Sequence, residues 1–198
     1  MDPEKDQAPS RRRRYLIGAT GVVGALGLAW AAVPFLKSML PSERALAVGG
    51  PIEVDFSKLE PGSQITVPWR SKPIWILRRT PEMLARLASL DPRLRDPESL
   101  VTTQQPEYCR NPARSIKPEY YICIGICTHL GCVPDFRPDI APVDLGPKWP
   151  GGYFCPCHGS RYDLAGRVYK DVPAPTNLVI PPHHYVASTR IILGEDPK

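Results

Sequence analysis

Two six-residue segments constrain this chain more than anything else in it: Cys127-Thr128-His129-Leu130-Gly131-Cys132 and Cys155-Pro156-Cys157-His158-Gly159-Ser160. Together they hold four of the six cysteines and two of the four histidines. Thiols and imidazoles this concentrated point to metal chemistry before a disulfide scaffold, which would leave the two histidines unexplained. A fold that uses both segments must bring two loops, separated by 22 residues, to one centre. Each loop carries a glycine, which lets backbone approach a buried object. Soft thiolates suit zinc and iron–sulfur clusters, and imidazole is accepted by both. Structural zinc sites pair like with like, cysteine near cysteine and histidine near histidine. Here the pairing is Cys-x-His in one loop and Cys-x2-His in the other, so zinc is the weaker reading.

From Tyr15 to Leu36 the chain runs 22 residues without a charge. As a helix this run would span roughly 33 Å, enough to cross a hydrocarbon core of about 30 Å. Its small residues, among them Gly18, Gly21, Gly24 and Gly27, would let a neighbouring helix approach closely. Arg11 to Arg14 precede the run, while only Lys37 and Arg44 follow closely. The positive-inside rule then makes residues 1–14 a cytoplasmic basic tail and residues 15–40 a single transmembrane anchor, with the remainder outside. Arg12-Arg13-Arg14-Tyr15-Leu16 also resembles a twin-arginine export signal. Ala45-Leu46-Ala47 has the form of a signal-peptidase site, but the apolar run exceeds the 7–15 residues of a signal core, so the anchor is expected to stay. Residues 41–50 read as a flexible linker ending in Gly49-Gly50.

Beyond the linker, short apolar or alternating runs bounded by Pro, Gly or charge read as strands: Ile52 to Phe56, Gln64 to Val67, Ile74 to Leu77, Tyr120 to Ile126, Tyr185 to Ala187 and Thr189 to Leu193. One helix interrupts them, with Thr80 as N-cap, Pro81 first, and an apolar stripe of Met83, Leu84 and Leu87 running to about Leu90. The polar, proline-rich stretch from Asp91 to Pro118 reads as an excursion over the surface. The 25 prolines, well above the usual share of about 5%, suit strands and rigid turns rather than helices. The basic tail holds part of the net charge of +5 and the rest is thinly spread, so nucleic-acid binding has no support. Cys109 and Cys123 stand apart from the two boxes; a second disulfide and a buried thiol are both open readings. His183 and His184 read as surface residues beside Pro181-Pro182.

The strings CTHLGC and CPCHGSRYD closely resemble the two cluster-binding boxes of the Rieske proteins of cytochrome bc1 and b6f complexes. A mixed set of two cysteines and two histidines is what a Rieske [2Fe–2S] centre requires. The resemblance extends over the anchor, the linker and the β-rich head, and fits a bacterial bc1 subunit best. It implies a mainly β fold: the N-terminal membrane helix, then an antiparallel β-sandwich head over residues 51–198 with a small cluster-binding part at about 127–175. It implies one [2Fe–2S] cluster per subunit, with Cys127 and Cys155 on one iron and His129 and His158 on the other. Cys132 and Cys157 would form a disulfide, which needs an oxidising compartment and agrees with a periplasmic head on the bacterial inner membrane. Ser160 would donate to a bridging sulfide and Tyr162 to the sulfur of Cys127, both raising the potential. Val172-Pro173-Ala174-Pro175 resembles the family's proline loop, or is a plain turn. The implied activity is that of a quinol–cytochrome c reductase, a translocase. Ubiquinol bound in cytochrome b would hydrogen-bond His158, and the ligand histidines His158 and His129 would couple a proton to the electron that passes on to cytochrome c1, in a dimeric complex. A b6f-type complex, or the small subunit of a molybdenum oxidase such as arsenite oxidase, are the rival settings for the same chemistry. Soluble Rieske ferredoxins lack the extra cysteine pair and the anchor.

Overall fold

A computed structural model describes residues 10–42 and 49–197, in two compact units. In the first, helix α1 (Arg11–Ser38) runs 28 residues with every side chain exposed, long and apolar enough to cross a membrane. It takes in the arginines ahead of the uncharged run. Most of the expected linker, and the tail before Ser10, lie outside the described residues.

The second unit is built from nine short strands: β1 (Ile52–Asp55), β2 (Gln64–Trp69), β3 (Lys72–Arg78), β4 (Tyr120–Ile124), β5 (Asp135–Arg137), β6 (Gly152–Phe154), β7 (Arg161–Tyr162), β8 (His183–Ala187) and β9 (Arg190–Leu193). They form three antiparallel sheets of order β1-β9-β8, β2-β3-β4 and β5-β6-β7. The middle sheet is covered on both faces, and the alternation of its strands shows why. Ile74 and Ile76 of β3, with Ile122 and Ile124 of β4, face one cluster shared with Val54, Phe56, Ile191 and Leu193 of the first sheet. Trp75 and Leu77, with Tyr121 and Cys123, face the opposite cluster, shared with Tyr153, Tyr162, Val168 and Leu178 around the third sheet. A period of two thus turns one strand into a wall for two cores. Trp75 stacks on Tyr153 across the second core, centroids 4.9 Å apart.

Helix α2 (Pro81–Leu87) begins as expected, with Thr80 Oγ1 accepting from Met83 N–H and Met83 and Leu87 buried. It stops at Leu87 and tightens into a 3-10 turn, Ala88–Arg93; Asp91-Pro92 cannot continue an α-helix.

Several expectations need correction. The segment from Asp91 to Pro118 does run over the surface for much of its length, but it is pinned inward at Leu94, Ser99, Gln105, Cys109 and Arg114, which are buried. Its polar residues pass inside because their side chains satisfy backbone groups there. His183 is also buried, its Nδ1 2.9 Å from Pro181 O, and Tyr108 Oη accepts from its N–H. Cys109 and Cys123 are free, buried thiols, each pushed up to about 12, chiefly by burial. The long stretch between the boxes supplies β5 and β6 and buries Trp149.

Candidate metal centre

The two boxes fold as the same loop. In the first, Cys127 N–H donates to Cys132 O (2.7 Å) and Gly131 N–H to Cys127 O (3.1 Å). In the second, Cys155 N–H donates to Ser160 O (2.8 Å) and Gly159 N–H to Cys155 O (2.9 Å). Gly131 and Gly159 hold φ of 86° and 78°, left-handed values that a side chain resists. Glycine at the fifth place of each box is therefore a backbone requirement. The first loop connects β4 to β5 and the second is the turn of the β6–β7 hairpin. A Cβ at Gly125, just after β4, would overlap the Trp75 ring, so the first loop starts in contact with the core.

A disulfide joins Cys132 to Cys157, closing a separation of 25 residues. The thiols of Cys127 and Cys155 are buried side by side. Burial pushes the Cys155 thiol up, and the hydrogen-bonded Cys127 thiol adds to this. The rings of His129 and His158 meet edge to face with centroids 4.8 Å apart. His129 Nδ1 is buried with no hydrogen-bond partner, whereas His158 lies at the surface. An orphaned buried nitrogen is costly, and adjoining buried thiols become thiolates when a cation compensates them. Two sulfurs and two imidazoles on clamped loops fit a soft metal group. Cys132, Cys155 and Cys157 also bring their sulfurs within 4.8 Å of one another, but two of the three are bonded together, so that trio is no ligand set.

Around these groups, two hydroxyls are oriented by backbone. Tyr162 Oη accepts from Thr128 N–H (3.1 Å) and lies 3.2 Å from Cys127 Sγ. Ser160 Oγ accepts from Ala174 N–H (3.1 Å). With an acceptor site filled by an N–H, each hydroxyl keeps its one proton for another acceptor. Thr128 Oγ1 donates to Thr176 O (2.7 Å), so the segment Val172 to Thr176 is tied to both boxes. The six residues expected to hold the cofactor (Cys127, His129, Cys155, His158, Ser160, Tyr162) thus lie on or directly after two joined loops.

The sequence did not announce what holds this arrangement from behind. Three buried arginines grip the turn that follows Tyr162. Arg79 donates to Leu164 O (3.3 Å), Ala113 O, Pro118 O and Ser115 Oγ. Arg114 donates to Ala165 O (3.1 Å), Gly166 O (3.2 Å), Gln104 O (3.4 Å), Gln105 Oε1 (3.1 Å) and Leu178 O (2.8 Å). Arg167 pairs with Asp163 (2.8 Å) and Asp91 (2.7 Å). Burial pulls Arg79 down to about 10, so it remains a cation at neutral pH. No spacing rule marks Arg79 and Arg114, because most of their partners are carbonyls distant in sequence, whereas Arg167 has an acid four residues before it in Asp163.

Comparison with known proteins agrees with this geometry. A family model described as "Rieske [2Fe-2S] domain" matches residues 97–184. A second, "Ubiquitinol-cytochrome C reductase Fe-S subunit TAT signal", matches residues 1–42. The chain is 63% identical over 185 residues, covering 93% of this chain and 89% of the relative, to the ubiquinol-cytochrome c reductase iron-sulfur subunit of Allochromatium vinosum. It is 41% identical to that of Blastochloris viridis, over 96% of both chains. Among solved structures it is similar to a chain of a "Hyperthermophilic respiratory Complex III", with 26% identity over 90% of this chain and 98% of that one and a TM-score of 0.49. A domain with this donor set, an N-terminal segment of this kind, and such identity along nearly the whole length place the chain in the family of Rieske iron–sulfur subunits of ubiquinol–cytochrome c reductase.

Proposed function

We propose that this chain is the electron-transferring subunit of a cytochrome bc1 complex, oxidising ubiquinol and passing the electron to cytochrome c1. Cys127 and Cys155 would hold one iron of the [2Fe–2S] cluster and His129 and His158 the other. When bound, the cluster supplies a one-electron acceptor of high potential. The observation that carries the reading is the buried, unpartnered Nδ1 of His129 beside two buried thiols on loops joined by a disulfide.

The chain's own residues do the rest. His158, exposed at the tip, presents its outer ring nitrogen to a quinol hydroxyl held by cytochrome b and keeps the proton it receives there. His129 shares that role from a less exposed position. Tyr162 and Ser160 direct their protons at sulfur, which favours the more negative, reduced state. The disulfide keeps the two loops closed over the buried thiols, excluding water. The apolar helix anchors the head to the bacterial inner membrane with its arginines on the cytoplasmic side and the head in the periplasm. The linker lets the head reorient between its two partners, whose effective concentration the anchor raises. The assembly is a dimeric complex.

EPR of the purified full-length chain after mild reduction with ascorbate, repeated across pH, tests this. A rhombic Rieske-type signal with a potential that falls as pH rises supports the proposal. Zinc in place of iron and no signal would overturn it.

A further inference from the structure

Beside the second box lies a hollow of about 550 Å³, lined by Arg93, Arg161, Lys170, Asp171, Tyr169 and Gly159 among others. Three cations share it with one carboxylate. Among the described residues, none of the three pairs with an acid: the ion pairs involve Arg78, Arg110, Arg137, Arg167 and Arg190 instead. Arg93 and Lys170 are held in place, donating to Lys148 O (3.1 Å) and Pro92 O (2.9 Å), and Arg93 lies over the Tyr169 ring. These bonds fix the cations without neutralising them. The Tyr169 hydroxyl is buried and unpartnered.

The hollow's place in the fold gives this charge a consequence. Gly159 is bonded to His158, so its Cα is about 3.8 Å from that of the exposed ring. A protein docked closely enough to exchange an electron at His158 covers several hundred Å² around it, and so covers the hollow. Three cations against one acid, buried under a neutral or basic face, would lose hydration without repayment. Leu130 of the first box and Val133 just after it are 73% and 54% exposed and supply apolar contact, but apolar contact does not set orientation.

We propose that this hollow is the basic half of a docking surface for a redox protein whose contacting face carries clustered carboxylates. The inference rests on the proposed electron transfer at His158 and adds the chemistry of the partner's face.

The test uses the full-length, cluster-loaded chain in detergent, reduced and mixed with the separately purified oxidised cytochrome that accepts its electron. The second-order rate is followed by stopped flow across ionic strength. For the wild-type chain the rate falls as salt rises. In the double variant Arg161→Gln/Lys170→Gln the low-salt rate drops by about tenfold and the salt dependence flattens. Asp171→Asn raises the low-salt rate; asparagine tolerates the positive φ of 58° at that position. Lys58→Gln, remote from the second box, changes nothing. The midpoint potential and EPR signal of each variant are measured alongside, so slower transfer is not mistaken for an altered cluster. A double variant with the wild-type rate and salt dependence overturns the docking surface, as does a slower Asp171→Asn. Absence of the EPR signal from the wild-type chain would instead overturn the functional reading beneath it.

Discussion

The hydroxyl of Tyr162 is the most economical place to ask whether the fold tunes its metal group. Its oxygen accepts from Thr128 N–H at 3.1 Å and stands 3.2 Å from both Cys127 Sγ and Thr128 Oγ1. It has one proton to give. Thr128 Oγ1 has already spent its own proton on Thr176 O at 2.7 Å, so it competes with the sulfur as acceptor. A thiolate sulfur can only accept. The Tyr162 proton therefore favours Cys127 whenever that sulfur carries charge, and more strongly after reduction. A hydrogen bond to a charged group contributes about 1.5–3 kcal/mol, and only the part that differs between the two oxidation states moves the potential. Taking about 1 kcal/mol for that difference, Tyr162→Phe lowers the one-electron midpoint potential by roughly 40 mV, scaled from 59 mV per tenfold change. It also leaves the Thr128 N–H without its acceptor, at about 1 kcal/mol of head stability. An EPR-monitored redox titration of the full-length chain measures the first effect and a thermal melt the second. The same reasoning requires Thr128→Val to shift the potential the other way, since the competing acceptor is gone. An unchanged or raised potential in Tyr162→Phe would refute the argument, as would equal shifts of the same sign in both variants.

Three further outcomes follow from the packing. Cys157→Ser opens the loop closed by the disulfide, whose separation is 25 residues; chain entropy puts the loss at roughly 3.5 kcal/mol, seen as a lower denaturation midpoint and faster release of iron, and equal iron retention would contradict the clamping role. Arg114→Met strands the carbonyls of Ala165, Gly166 and Leu178 in the core, destabilising the head by about 3 kcal/mol and lowering its melting temperature by about 6–12 °C; a change under about 2 °C would mean the grip is dispensable. Burial holds His183 below its ordinary pKa of 6.5, so the unfolded chain binds a proton that the folded head refuses. Stability is then full above the unfolded pKa and is lost as pH falls through it toward the lower folded value. Melts of His183→Gln between about pH 8 and pH 5 are expected to show a flatter decline than wild type, and an unchanged slope would rule His183 out as the source.

The parts of this molecule that were legible in the sequence are those whose physics is local. The two boxes announce themselves because thiol, imidazole and glycine must sit within one turn, and the anchor because 22 uncharged residues have few other uses in water. Strands β1 to β4 and β9 show because each alternates or stays apolar over four residues or more, and β8 shows through the shorter apolar run Tyr185 to Ala187. Strands β5 to β7 are two or three residues long, too short to develop a period. The buried arginines were hidden for a different reason. Arg114 is one of 25 basic residues, and nothing near it in the chain distinguishes it from a solvated one. Its partners, from Gln104 to Leu178, are brought to it only by the finished fold. Polarity and proline suggested that Asp91 to Pro118 ran over the surface. Polarity, however, excludes a segment from the interior only when its groups find no partners there, and here the partners are the carbonyls just beyond Tyr162 and beyond the proline-rich turn. The segment that looked least structured is therefore what holds, from behind, the turn that follows Tyr162.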